Sequence, residues 1–190
     1  MTLEIVFDTE TTGIPDWKAP SEAEHQPHIV QLAAQQFESE TGKIIQTIDV
    51  IIKPNGWVIP AEVSEIHGIT TEYASDVGIS EKLAVEMFLD LWGGRLRVAH
   101  NTTFDNRILR IATKRYCSEA VSEAWHTGDY FCTMINARKV MPISKNPTLG
   151  EAYKHFMSKD FEDAHSALPD AQACREVYLA LNKLRLLEVA

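Results

Sequence analysis

The sequence predicts a mixed α/β fold, a central β-sheet with α-helices packed on its faces. Three observations carry that expectation. A short apolar strand opens the chain, a hairpin follows it, and brief apolar runs then alternate with amphipathic helical stretches to the end. With 45% apolar and 24% charged residues the composition is that of a folded soluble chain, which removes disorder and collagen-like repeats from the choices. The 190 residues are read as a single domain, residues 1–190, because about 150 fill an ordinary one. No run reaches the roughly 20 apolar residues of a membrane helix, and the acidic N-terminus lacks the positive charge of a signal peptide. A cytoplasmic protein without a membrane partner is expected.

Residues 3–7 form an apolar, partly β-branched run that ends at a turn-prone stretch, 8–13, so a buried strand should give way to a loop there. Pro15, Pro20 and Pro27 break any periodicity across 14–28, which reads as a surface loop. Strands over 29–37 and 44–53 make a hairpin. A short helix over 60–66 can start at Pro60 and stop at Gly68. Ser80 caps a helix in which Leu83, Met87 and Leu91 recur at helical spacing before Gly93 and Gly94.

A brief strand over 97–100 precedes a helix that starts at Thr103. This helix carries Phe104, Ile108, Ile111 and Ala112 on one face and a basic stripe, Arg107, Arg110 and Lys114, on another. A last strand over 130–133 leads into a helix ending near Val140. Helices over 149–157 and 168–187 follow, the latter with Cys174, Val177, Leu181 and Leu184 inward. Cys117, Cys132 and Cys174 are odd in number and show no paired spacing, so they are read as reduced and packed, with no zinc site.

The formal net charge of −9 argues against a partner gripped by general phosphate electrostatics. The distribution says more. Residues 1–94 carry a balance of −12 and residues 95–190 one of +3. Either the halves complement one another, or an acidic metal site stands beside a phosphate-facing surface.

Asp8 and Glu10 are two apart in an extended chain, so both carboxylates leave on the same side. Such repulsion is relieved by a proton or by a hard divalent cation, Mg²⁺ or Mn²⁺. On their own the pair could equally decorate a polar turn, or open a haloacid-dehalogenase-type phosphatase, although that chemistry needs a second Asp where Glu10 stands. Asp105 lies where a strand hands over to a helix, the place at which open α/β sheets gather ligands; it also suits the amide end of a helix dipole. A continuous helix would set His165 and Asp170 about 140° apart. Pro169, at home in a first helical turn, leaves His165 in the preceding loop and free to fold back.

The three segments FDTETTG (7–13), HNTTFD (100–105) and HSALPDA (165–171), with IHGIT (66–70) between the first two, resemble in order and spacing the motifs of the DEDDh family of 3′→5′ exonucleases. The resemblance spans nearly the whole chain and implies a ribonuclease H-like fold. It implies that Asp8, Glu10 and Asp170 hold one of two divalent metal ions, with Asp8 bridging to a second ion that Asp105 holds. His165 falls in the place of the general base. Thr9, Thr12, His67, Asn101 and Phe104 fall where the family contacts the terminal nucleotide, and Phe104 equally suits a core anchor.

The implied activity is two-metal release of nucleoside monophosphates from single-stranded or frayed 3′ ends, DNA favoured over RNA, in replication or repair. Arg107, Arg110 and Lys114 would lie near an incoming strand, and the 14–28 loop with Trp17 would shape the substrate. Gln31 stands where many members carry Glu; since it is not among the ligands, the exchange is expected to be harmless. The chain stops at Ala190, just after its last helix, so a stand-alone enzyme is expected rather than a polymerase partner; a homodimer is left open. The rival readings are an exoribonuclease of the same family, a non-cleaving 3′-end binding module, and a mononucleotide phosphohydrolase. A binding module would lack a ligand, and none is missing.

Overall fold

Five strands, β1 (Leu3–Thr11), β2 (Ile29–Glu38), β3 (Ile44–Ile51), β4 (Arg97–Ala99) and β5 (Tyr130–Cys132), form one sheet in the order β3-β2-β1-β4-β5. The computed structural model describes residues 2–161 and 166–189. β1, β2 and β3 run antiparallel, whereas β4 and β5 continue from β1 in parallel, which makes the sheet mixed as expected. The helices are α1 (Ala61–His67), α2 (Thr71–Val77), α3 (Glu81–Trp92), α4 (Thr102–Tyr116), α5 (Glu119–Thr127), α6 (Thr133–Val140), α7 (Leu149–Met157) and α8 (Ala167–Val189).

Alternation along β1 builds two cores. Ile5 and Phe7 face α3, α4 and α5, where the Phe7 ring lies 5.3 Å from Phe88 and 5.7 Å from Trp125. Each such aromatic pair adds about 0.5–1.5 kcal/mol beyond its burial. Val6 faces the other way and packs with Phe37, Val98, Ala171, Cys174 and Tyr178 beneath α8. Asp8 and Glu10 share the parity of Val6, so they emerge on the α8 face. Thr9 shares that of Phe7 and emerges on the α4 face.

Arg97 is fully buried at the start of β4. Its guanidinium lies 3.9 Å from the Trp125 ring centroid and donates to the carbonyls of Trp125 (2.6 Å), Gly128 and Asp129 (3.3 Å). One planar fork thus satisfies the C-terminal carbonyls of α5 and ties that helix to the parallel strands. Burial draws the Arg97 pKa down to about 10, still far above neutrality.

Several expectations are corrected. β1 does not end at Phe7 but runs to Thr11, because residues 8–11 keep pairing with β2, Asp8 opposite Ala33 and Glu10 opposite Gln31. In α3 the buried stripe is Ala84, Val85, Phe88, Leu91 and Trp92, while Leu83 and Met87 are exposed; the two aromatics bury more apolar area than the Leu and Met they displace. In α8 Leu181 is buried, whereas Leu184, expected inward, lies at the surface. α1 stops where expected, with Gly68 at φ 76°, a left-handed conformation that glycine adopts without steric cost. No helix among the described residues is long and apolar enough to cross a membrane.

Candidate active site

Asp8 and Glu10 leave β1 toward the first turn of α8, which carries Asp170. The helix starts at Ala167, with Pro169 in its first turn, where a missing N–H costs nothing. The Asp170 N–H donates to Ser166 O at 3.1 Å, which closes that turn. As a result one carboxylate oxygen each of Asp8, Glu10 and Asp170 lies within 4.8 Å of the others.

Asp105 approaches from the opposite face of the sheet. β4 pairs with β1 only through Ile5 and Val6, which leaves the edge of β1 beyond it open to the first turn of α4. There the Thr9 hydroxyl donates to Asp105 Oδ1 at 2.8 Å. The side chain of Asp105 is buried. It stands outside the three-carboxylate cluster but close enough to act on Asp8 electrostatically.

The charges press on one another. Burial, followed by Asp105, Asp170 and Glu10, holds the Asp8 carboxyl well above its ordinary range. Burial and then Asp170 raise Glu10 to about 7. Burial also raises Asp105, against the lowering effect of the Thr9 hydroxyl. This donor set suits a hard cation: oxygen only, anionic, and strained without a counter-charge. Asp8, Glu10 and Asp170 are placed to hold a divalent ion, with Asp105 near Asp8.

The remaining expected residues divide. Thr9 is buried and its hydroxyl donates to Asp105. The Thr12 hydroxyl accepts the His28 N–H at 2.9 Å and so fastens the end of the 14–28 loop. Asn101 is exposed at the start of α4 in a left-handed conformation (φ 63°), which Asn tolerates better than most residues. Phe104 is half-buried and packs against the larger core. His67 ends α1, and its Nδ1 accepts the Ile69 N–H at 3.1 Å, which assigns the ring proton to Nε2; burial lowers its pKa. His165 lies outside the described residues.

The basic stripe of α4 is largely engaged within the chain. Arg107 donates to Ala19 O at 2.6 Å, Arg110 lies 3.7 Å from Glu123, and Lys114 lies 2.6 Å from Glu119. Arg115, which the sequence reading did not single out, donates to Pro27 O at 2.8 Å and to Gln26 O. Buried Gln26 bonds Asp16 and Pro20 across the 14–28 loop. The loop is therefore pinned to α4.

Two further residues were missed. Glu81 is a buried carboxylate that accepts from the Ile29 N–H (2.9 Å) and the Tyr116 hydroxyl (2.8 Å) and meets His28 Nδ1 at 2.7 Å. An acidic residue straight after a Ser cap reads only as dipole stabilisation, and nothing in the sequence marks its burial. Gln31, expected to be without consequence, accepts the Ala167 N–H at 3.2 Å and donates to Asp49 Oδ1 at 2.8 Å.

The Exonuclease family model, of the RNase T type, matches residues 5–178. The chain belongs to the exonuclease family. It is thereby an enzyme of the hydrolase class, and the resemblance read from the three motifs holds. DNA polymerase III subunit epsilon of Escherichia coli is 30% identical over 187 residues, which span 95% of this chain and 72% of that subunit. The corresponding subunit of Aquifex aeolicus is 27% identical over 177 residues, 93% of this chain and 79% of the other. Among solved structures, E. coli exonuclease I bound to a dT13 oligonucleotide superposes with a TM-score of 0.74 at 18% identity. A zinc-bound complex of that enzyme with single-stranded DNA gives 0.72 at 20%. All of this chain is covered in both cases, but only 43% and 42% of exonuclease I. At that identity the likeness establishes the ribonuclease H-like fold of this exonuclease-family chain.

Proposed function

We propose that this chain is a divalent-metal-dependent 3′→5′ exonuclease that removes nucleoside monophosphates from single-stranded or frayed 3′ ends, DNA favoured over RNA. The observation that carries the reading is the meeting of Asp8, Glu10 and Asp170 within 4.8 Å, with Asp105 fastened alongside by Thr9. The relatives support the DNA preference: one group is named as a DNA polymerase subunit, and the structural neighbour was crystallised with single-stranded DNA.

When bound, a pair of Mg²⁺ or Mn²⁺ ions would supply Lewis acidity at the scissile phosphate and lower the pKa of water. The chain's own residues do the rest. Asp8, Glu10 and Asp170 would hold one ion, and Asp105, with Asp8, would help to hold the other. Four carboxylates match two divalent charges, which explains why so acidic a chain can receive a polyanion. His165, two positions before α8, accepts the proton of the attacking water near neutral pH, where an unperturbed imidazole titrates at about 6.5. The new O–P bond forms as the bond to the 3′ oxygen breaks, and that oxygen takes up a proton from solvent water. The products are a nucleoside 5′-monophosphate and a strand one residue shorter with a 3′-hydroxyl. Thr9, Thr12, His67, Phe104 and Asn101, the last exposed at the head of α4, are the candidates for contact with the terminal nucleotide.

The test is incubation with 5′-labelled DNA and RNA oligonucleotides in Mn²⁺. A ladder shortening from the 3′ end, faster on DNA, is expected. Retention without shortening would make the chain a binding module, and faster loss of RNA would reverse the sugar preference.

A further inference from the structure

The cation site proposed above needs three carboxylates from two elements, and only β1 fixes two of them. Asp170 rides on α8, whose first N–H groups have no partners within the helix. How that end is held to the sheet therefore decides where Asp170 stands. Gln31 lies directly opposite Glu10 in the β1–β2 register, so the two side chains share the α8 face. Its Oε1 accepts the Ala167 N–H at 3.2 Å, the first residue of α8 and three before Asp170.

A glutamine amide can present either end, and a flipped amide would turn its NH₂ group toward the helix N–H, donor against donor. Asp49 removes the ambiguity. Its carboxylate, 2.8 Å from Gln31 Nε2, can only accept, so the NH₂ group must face β3 and the carbonyl must face α8. A Glu at position 31 could not play this part, since it would set a second carboxylate against Asp49. Gln31 and Asp49 are thus a matched pair.

We propose that Gln31, oriented by Asp49, is a positioning residue that fixes the first turn of α8 on the sheet and thereby sets Asp170 against Asp8 and Glu10 for cation binding. The inference rests on the metal-site reading above, and it concerns residues that touch neither ion nor substrate.

The test uses the whole chain and Mn²⁺ as the probe, with Gln31→Met, Asp49→Ala, Asp49→Asn and the Gln31→Met/Asp49→Ala double variant. Groups that hold a metal ligand in place are typically worth 10- to 100-fold in affinity. Gln31→Met should weaken Mn²⁺ binding by calorimetry about tenfold and lower kcat, with the oligonucleotide KM unchanged. Asp49 is exposed, so its variants fold irrespective of the outcome at Gln31. Asp49→Ala should lose about threefold, Asp49→Asn, which keeps an acceptor, should stay near the parent, and the double variant should be no worse than Gln31→Met alone.

Amide hydrogen exchange at Ala167 gives a readout independent of metal, with protection expected to fall in Gln31→Met. A parent chain that binds no Mn²⁺ would refute the metal site, and Ala167 exchange would still judge the clamp. Unchanged Ala167 protection, unchanged Mn²⁺ affinity beside a parent that binds, or additive losses in the double variant would overturn the role of Gln31.

Discussion

Thr9 and Asp105, 96 residues apart, meet through one hydrogen bond of 2.8 Å from the Thr9 hydroxyl to Asp105 Oδ1. Because Thr9 alternates with Asp8 and Glu10 on β1, the strand that offers two carboxylates to one face holds the fourth from the other.

Replacing Thr9 by Val keeps the shape and removes the donor. Asp105 would then be a buried carboxylate short of a partner, a loss of about 1–3 kcal/mol. The Thr9→Val variant should unfold at lower urea concentration at pH 8 and lose activity, while Thr9→Ser should keep both. Equal urea midpoints for Val and Ser would show that the bond carries no weight.

The metal-free chain should be less stable at pH 8 than at pH 5.5. Asp8, Glu10 and Asp105 have folded pKa values raised above the unfolded ones, Glu10 to about 7, so the native state holds protons that the unfolded chain has already released. Stability therefore falls as pH rises from the ordinary carboxylate range, and the penalty is complete above the folded pKa. Glu81 works in the opposite sense. Its pKa is lowered despite burial, through His28, the Ile29 N–H and Tyr116, and its contribution is lost only on acidification below the ordinary range. Thermal melts in EDTA at the two pH values check the sign, and added Mg²⁺ should restore the loss at pH 8.

Asp8 lies at the centre of this repulsion, so Asp8→Asn should raise the melting temperature in EDTA at pH 8 while abolishing turnover. A variant that melts lower, or retains its activity, would contradict the electrostatic account of the site.

Arg97→Met would leave the carbonyls of Trp125, Gly128 and Asp129 without their donor and remove the contact with the Trp125 ring. A loss of about 3 kcal/mol in urea unfolding is expected, and Arg97→Lys should recover only part of it, because an ammonium cannot reproduce the planar fork.

The elements that the sequence announced are those with a periodic apolar face or a capping residue. The β1–β2–β3 run, α4 and α7, whose Thr148–Glu151 capping box is complete, belong to this group. α2 went unseen because it buries only Ala74, and α5 because it buries only Ser122 and Trp125; in the latter, the Ser118 cap was the signal available. The carboxylates were legible because they fall in three short segments, each at the end of an element. Thr9, Gln31, Glu81 and Arg115 act through partners far away in the chain, and nothing local distinguishes a Gln that clamps a helix from one that merely fits a strand.

The central claim is that Asp8, Glu10 and Asp170, with Asp105 beside them, bind divalent cations. Crystals soaked in Mn²⁺ and measured for anomalous scattering test it most directly. Two peaks are expected, one among Asp8, Glu10 and Asp170 and one between Asp8 and Asp105. A map without anomalous density at these carboxylates would contradict the account.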